Sequence, residues 1–117
     1  MSSLATRAGF AVAPTCTSLA EVRLHIDQID RELVALLARR GGFVNEAARL
    51  KRDAAEIPDP ARVATVIERV RRLARQHGLD PDLAAAVWQT MIDGFIAAEH
   101  STHQRLHPPP HTPPGPR

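Results

Sequence analysis

Residues 19–52 read LAEVRLHIDQIDRELVALLARRGGFVNEAARLKR, and this stretch decides the fold of the chain. Its apolar residues recur at steps of three and four, which is the spacing of one apolar helix face: Val22, Ile26, Ile29, Leu33, Leu36 (or Leu37), Val44 and Ala47. Ser18 can cap the start, and Glu21 can complete a capping box. Only Gly41-Gly42 interrupts the pattern, at roughly 1 kcal/mol per glycine relative to alanine. The stretch predicts one helix of about 33 residues, about 50 Å long.

A helix of that length predicts a dimer. A compact domain of 100 residues has a radius of gyration of only about 13 Å, so one short chain cannot cover both ends of the helix. Arg40 and Lys51 are eleven residues apart, about three helical turns, and therefore share one face. Arg23 precedes Arg40 by about 25 Å along the axis, so it can join them only from a partner chain. We expect a homodimer with shared sites.

Composition limits the class of protein. The chain has 117 residues, enough for one domain with a modest core. Aromatic content is 3% and the formal net charge is +2, which argues against nucleic-acid binding by stacking or by a general basic surface. Cys16 is the only cysteine, so no intramolecular disulfide is expected. No apolar run approaches the ~20 residues that span a membrane. We expect a cytoplasmic protein that contacts neither membrane nor nucleic acid.

The remaining segments predict three regions. Residues 1–18 are expected to form a disordered extension, residues 19–106 a helical domain, and residues 107–117, rich in proline, a disordered tail. Asp59-Pro60 and Asp80-Pro81 are N-cap signals, and Gly78 is typical of a helix end. They predict a second helix from Pro60 to about Gln76 and a third from Pro81 to about Leu106. Three helices without strand signals predict an all-α protein.

The chemistry-bearing residues are mostly cations. Arginines bind carboxylates through two parallel hydrogen bonds, and a lysine can donate to an oxygen that gains charge. Glu99 lies on the apolar stripe of the third helix, where burial would favour its neutral, hydrogen-bond-donating form. Together these residues suggest a site for a small dianion: Arg23, Arg40, Lys51, Arg62 and Glu99. His100, His103 and His107 share a helix face but lack the further ligands of a zinc site, so we expect no metal.

Several motifs resemble one known family. RLHIDQIDRELVALLARR (residues 23–40), Lys51 eleven residues later, DPARV (59–63), GLDP (78–81) and MIDGFIAAE (91–99) resemble the all-helical AroQ class of chorismate mutases. The resemblance covers about residues 19–105. It implies an intertwined homodimer in which the long first helix spans both subunits. It also implies a cofactor-free isomerase that converts chorismate to prephenate by a pericyclic Claisen rearrangement, in the shikimate pathway to the aromatic amino acids.

The resemblance assigns a role to each site residue. Arg23 of one chain and Arg40 of the other would hold the two carboxylates of the substrate. Lys51 would contact the ether oxygen and one carboxylate. Asp59 stands where the family has an acidic residue that binds the substrate hydroxyl, and Arg62 would line the site. Glu99 would donate a hydrogen bond to the ether oxygen.

Two positions depart from the best-known bacterial pattern. Val63 replaces a glutamate that also contacts the substrate hydroxyl, which leaves the identity of the substrate open. Glu99 replaces the usual glutamine, as in eukaryotic members. The segments AAEIPDPARVATVI and FVNEAARLK also resemble a branch with isochorismate-pyruvate lyases, which form salicylate and pyruvate, and 4-amino-4-deoxychorismate mutases.

A non-enzymatic alternative is a basic helical dimer that binds nucleic acid or a partner protein. The binding of such a dimer would depend strongly on salt concentration. It would use four arginines of the second helix: Arg69, Arg71, Arg72 and Arg75.

The presence of Glu99 predicts that turnover depends on pH. An ionised Glu99 would repel the developing enolate, whereas a protonated one would act like the glutamine amide. Turnover should therefore fall with rising pH as Glu99 loses its proton. A rate that is level between about pH 5 and 8.5 would exclude this role for Glu99.

Overall fold

A computed structural model of the chain describes residues 6–7, 9–57 and 59–108. Three helices carry the architecture: α1 (Leu19–Leu50), α2 (Pro60–His77) and α3 (Pro81–Leu106). Their bounds agree with the predicted ones within about two residues at each end, the usual uncertainty of helix ends. The all-helical fold class predicted from the sequence is confirmed.

The start of α1 is capped much as predicted. The Ser18 hydroxyl accepts a hydrogen bond from the backbone N–H of Glu21 at 3.1 Å. The Glu21 carboxylate accepts from the backbone N–H of Thr17 at 2.9 Å and from its hydroxyl at 2.8 Å. In a standard capping box that carboxylate would reach the N–H of Ser18, so its contact lies one residue earlier than expected. Gly41 and Gly42 lie inside the helix without breaking it.

Short-range signals also set the other helix ends. The side chain of Asp59 accepts from the N–H of Arg62 at 3.1 Å, and that of Asp80 accepts from the N–H of Asp82 at 2.9 Å. Gly78 ends α2 with a φ of 74°, a left-handed conformation that glycine adopts without steric cost.

The core lies between α2 and α3. Its buried residues come from the facing sides of both helices: Val66, Val70, Ala74, Ala84 and Ile92. These side chains are small, so the core is modest in volume. Trp88 and Ile96 pack against its edge.

Most of α1 has no cover within one chain. Ala48 is its only buried residue, near the end that packs on α3. The apolar stripe upstream stays exposed, from 37% for Val22 to 54% for Leu36. The radius of gyration is 20.1 Å, well above the ~13 Å of a compact chain of this size. One chain therefore leaves the predicted stripe in water.

Two small elements were not predicted. Strands β1 (Thr6–Arg7) and β2 (Phe10–Ala11) pair antiparallel, and the carbonyl of Gly9 accepts from the N–H of Asp80 at 2.7 Å. A 3₁₀ turn at Ala54–Glu56 joins α1 to α2. A hairpin of four paired residues leaves the all-α class unchanged.

The terminal regions are only partly described. Residues 1–5, 8, 58 and 109–117 lie outside the described residues, so the disordered extension and the disordered tail stay predictions. His107 caps α3 through its backbone N–H and thus belongs to the end of the helical domain. Among the helices of the described residues, none is long and apolar enough to cross a lipid bilayer.

The cap of α1 predicts a pH-dependent contribution to stability. The N–H of Thr17, and next its hydroxyl, hold the pKa of Glu21 below its ordinary value of 4.5. Folding that lowers a carboxyl pKa is stabilised above the unfolded-state pKa, and this contribution is lost as pH falls through the folded-state value. Glu21→Gln should therefore lower the melting temperature at pH 7 and lower it less at pH 3. Glu32→Gln, at an exposed position of the same helix, is the matched control. An equal deficit at both pH values would contradict the assignment.

Candidate active site

The predicted site residues line one cavity between the end of α1, the start of α2 and the second half of α3. Its volume is about 310 Å³, at the small end of the range for ligand sites. The lining residues are Arg40, Phe43, Val44, Ala47, Lys51, Asp59, Arg62, Val63, Val66, Ile92, Phe95, Ile96 and Glu99.

Five of the six predicted site residues meet there, and Arg23 does not. Arg40, Lys51, Asp59, Arg62 and Glu99 all line the cavity. Arg23 is exposed on α1, about 25 Å from Arg40 along the helix axis. This separation follows because both residues lie in one continuous helix, seventeen positions apart. The roles of all six residues stay predictions.

Lys51 and Glu99 form an ion pair at the cavity wall. The Lys51 Nζ donates to the Glu99 carboxylate at 2.6 Å, and Glu99 is only 8% exposed. Glu99 is therefore buried, in keeping with its place on the apolar stripe of α3. The carboxylate accepts a hydrogen bond in this arrangement, so its predicted role as a donor concerns the substrate-bound site. Lys51 is the C-cap residue of α1, where the backbone leaves the helix.

Arg40 and Arg62 give the cavity an excess of positive charge. Burial, and next the charge of Arg62, hold the pKa of Arg40 below its ordinary value. Arginine stays protonated because that starting value is so high. Within the described part of the chain, neither guanidinium takes part in a salt bridge. The pair is therefore available to bind an anion, whose charge would relieve their mutual repulsion.

Phe95 supports Arg40, a contact that sequence reasoning missed. The Arg40 guanidinium carbon lies 5.0 Å from the centroid of the Phe95 ring, within cation–π distance. Gly41 makes room for that ring, because a Cβ at position 41 would lie 3.1 Å from Phe95 Cε1. The sequence does carry a signal for this contact. Gly41 directly follows the candidate site residue Arg40 inside a helix, where glycine is unfavourable unless a neighbouring group needs the space.

The three histidines of α3 do not form the zinc face that their spacing allowed. His103 Nε2 lies 2.9 Å from the carbonyl oxygen of Lys51, and the His103 and His107 rings stack at 4.4 Å. Among the described residues, one other group brings metal-binding atoms together, within 4.8 Å of one another: Cys16, Glu21 and His25. His25 is exposed, and Glu21 already caps the helix. The predicted absence of a metal stays a prediction.

The arrangement defines a helical protein with a cationic cleft for a small anion. Three cations and one buried carboxyl group surround the cavity, a set suited to holding a dianion and stabilising separated charge rather than to covalent catalysis. A family model, chorismate mutase type II, matches residues 22–100. The chain belongs to the chorismate mutase type II family, which confirms the resemblance stated from the sequence.

Two curated proteins are similar to this chain. An isochorismate pyruvate lyase of Pseudomonas aeruginosa is 38% identical over 84 residues, which cover 72% of this chain and 83% of that protein. A chorismate mutase of Methanocaldococcus jannaschii is 32% identical over 76 residues, which cover 64% of this chain and 77% of that protein. Both functions named for these relatives were among the alternatives stated from the sequence.

The contact between Gly41 and Phe95 gives a paired prediction. Gly41→Ala should displace the Phe95 ring by a few tenths of an ångström, shift Arg40 and raise the KM for chorismate several-fold. Gly42→Ala is the matched control because its Cβ would meet no atom within 4 Å. It should leave KM unchanged and stabilise the helix by up to about 1 kcal/mol. Equal KM values for both variants would show that the Phe95 ring does not set the position of Arg40.

Proposed function

We propose that this protein is a chorismate mutase that converts chorismate to prephenate, without a cofactor, in aromatic amino-acid biosynthesis. The observation that carries the proposal is the meeting of Arg40, Lys51, Arg62 and the buried Glu99 around one small cavity. A cytoplasmic location and the lack of nucleic-acid or membrane partners stay predictions.

The reaction needs little from the protein except shape and charge. Within one substrate molecule a C–O bond breaks while a C–C bond forms, so no proton acceptor or nucleophile takes part. Catalysis then consists of holding a flexible dianion in its reactive conformation and stabilising the charge that grows on the ether oxygen. The cavity offers both, through the guanidinium groups of Arg40 and Arg62, which form no salt bridge with another described residue, and through a Lys51–Glu99 pair at its wall.

Each predicted residue has a place in this scheme. Arg40 binds one substrate carboxylate, and Arg62 lines the same region. Lys51 contacts the ether oxygen and a carboxylate, and Glu99 in its protonated form donates to the ether oxygen. Asp59 binds the ring hydroxyl from the start of α2. When the substrate binds, the Lys51 ammonium group and the Glu99 carboxyl group partly give up their contact with each other. Each of them then contacts the substrate instead.

The second carboxylate is bound by Arg23 of a second chain. This part of the proposal is supported by the exposed apolar stripe of α1, which includes Ile26, Ile29 and Leu33, each at least 50% exposed in one chain. A two-fold dimer that pairs these stripes would bury the stripe of each subunit against that of the other. It would also bring the start of one α1 toward the end of the other, where the cavity lies.

A second candidate is an isochorismate-pyruvate lyase. It is favoured by the 38% identity to the Pseudomonas aeruginosa lyase and by Val63, which leaves the cavity without a second acidic contact for a substrate hydroxyl. The same C–O bond would break, so the same cations would serve. The non-enzymatic alternative receives less support, because one of its four arginines, Arg71, already pairs with Asp82 at 2.6 Å.

The test is a paired assay with chorismate and with isochorismate, following prephenate, pyruvate and salicylate. The proposal predicts prephenate from chorismate as the faster reaction. Faster release of salicylate and pyruvate from isochorismate would assign the lyase function instead. Turnover of neither substrate would contradict both functions.

Lys51 supplies the mutational prediction. Removing one preorganised donor to developing charge costs about 100-fold or more in turnover. Lys51→Ala should therefore lose at least about 100-fold in kcat, whereas Arg52→Ala, at the exposed neighbouring position, should lose little. A Lys51→Ala variant that retains the wild-type rate would refute the assigned mechanism.

A further inference from the structure

The end of α1 is contacted by two histidine side chains, one from α3 and one from the residue that caps α3. The last four carbonyl groups of a helix have no partner within it. At the end of α1, His103 Nε2 lies 2.9 Å from the carbonyl oxygen of Lys51. His107 Nε2 lies 3.4 Å from the carbonyl oxygen of Arg49. His103 in α3 thus reaches the carbonyl group of Lys51, directly after α1, and His107, directly after α3, reaches the carbonyl group of Arg49 in the last turn of α1.

We propose that His103 is a positioning residue that holds Lys51 in place for the reaction. The inference rests on the proposed function of Lys51, and it assigns a task to a histidine that lines no part of the cavity. Lys51 is held at both ends: its Nζ contacts Glu99 at 2.6 Å, and its carbonyl contacts His103. Glu99 and His103 are four residues apart, so one face of α3 carries both contacts.

The chemistry of the contact sets the tautomer of His103. A backbone carbonyl can only accept, so the hydrogen must lie on Nε2 of the imidazole. His103 is 5% exposed, and a buried ring that lost this partner would leave a polar atom unsatisfied. His107 stacks on it at 4.4 Å with an angle of 28° between the rings, which limits rotation of the His103 ring.

The position of Lys51 makes the contact matter for catalysis. Lys51 is the first residue after α1, with an extended backbone (φ −74°, ψ 130°), so the helix alone does not fix its direction. A four-carbon side chain has many rotamers, and an ammonium group displaced by about 1 Å loses much of its effect on the transition state. The contact with His103 fixes the backbone carbonyl of Lys51 and so restricts the position from which the flexible Lys51 side chain extends.

A neighbouring contact keeps the two helices joined when His103 is changed. The Thr102 hydroxyl donates to Asn45 at 2.9 Å, and Arg105 donates to Thr102 at 3.1 Å. The packing of α1 on α3 therefore does not depend on His103 alone. Removing the imidazole should disturb Lys51 before it disturbs the fold.

The experiment compares His103→Leu, which keeps bulk but has no donor, with His103→Gln, whose side-chain amide can donate near the Nε2 position. His103→Leu should lower kcat about tenfold or more with a smaller change in KM, and His103→Gln should recover most of the loss. His100→Leu, at a part-exposed position of the same helix, is the control and should keep wild-type turnover. Equal losses in the Leu and Gln variants, or turnover within about twofold of wild type in His103→Leu, would overturn the proposal.

A second readout needs no substrate. Lys51 is the only lysine of the chain, so protein labelled with ¹⁵N-lysine gives NMR signals from this residue alone. The proposal predicts that the Lys51 ammonium and backbone amide signals shift or broaden in His103→Leu and stay near wild-type positions in His103→Gln. Unchanged signals in His103→Leu would overturn the positioning role. Shifted signals in a protein that turns over neither chorismate nor isochorismate would support the positioning of Lys51 and contradict the proposed function only.

Discussion

The length of α1 is the constraint on which the rest of this molecule depends. A helix of 32 residues is about 48 Å long, and a chain of this size has too little material to cover it. Its C-terminal third packs on α3 and helps form the cavity, while its N-terminal part presents apolar residues and Arg23 to water. Under the proposed dimer, the same helix would supply the interface and residues for two sites. Folding, association and catalysis would then be linked through one element.

The cavity shows how a protein with a small core can place several charged groups around one binding site. Its walls are mostly apolar, and three of its charged groups lie where the helices end or meet: Lys51 after α1, Asp59 before α2 and Glu99 on the buried side of α3. The Lys51–Glu99 pair is almost neutral as a unit and Asp59 is negative, so the positive charge that an incoming dianion meets comes from Arg40 and Arg62. Glu99, at 8% exposure, interacts with Lys51 more strongly than the same groups would in water. Because Lys51 is paired and Arg62 is exposed, the three cations can lie side by side before the substrate arrives.

The features that the sequence predicted are local ones. The helix ends could be predicted because a cap depends on only a few neighbouring residues. The residues that predicted them are Asp59-Pro60, Gly78 and Asp80-Pro81. Arg40 and Lys51 were placed on one face by helix geometry alone. Arg62 and Glu99 were candidates because of their chemistry and, for Glu99, because of its place on the apolar stripe of α3. Asp59 entered the predicted site with the family resemblance.

The features that escaped prediction depend on how helices meet. Phe95 reaches Arg40 only because α3 crosses α1 at Gly41, and the contact between His103 and Lys51 joins residues fifty-two positions apart. Crossing positions follow from packing of whole faces, which periodicity does not specify. The hairpin at Thr6–Ala11 was missed for a related reason, because the contact of Gly9 with Asp80 depends on the turn between α2 and α3.

The most direct measurement of the shared-site account uses mixed dimers. Chains carrying Arg23→Ala and Arg40→Ala, with different affinity tags, would be co-expressed and the heterodimer purified through both tags. Because a two-fold dimer has two equivalent sites, such a heterodimer holds one intact site and one doubly altered site. A site shared between two chains predicts about half of the wild-type turnover per dimer, with both homodimeric variants nearly inactive. A heterodimer as inactive as its parents, or an Arg23→Ala homodimer with the wild-type rate, would contradict it.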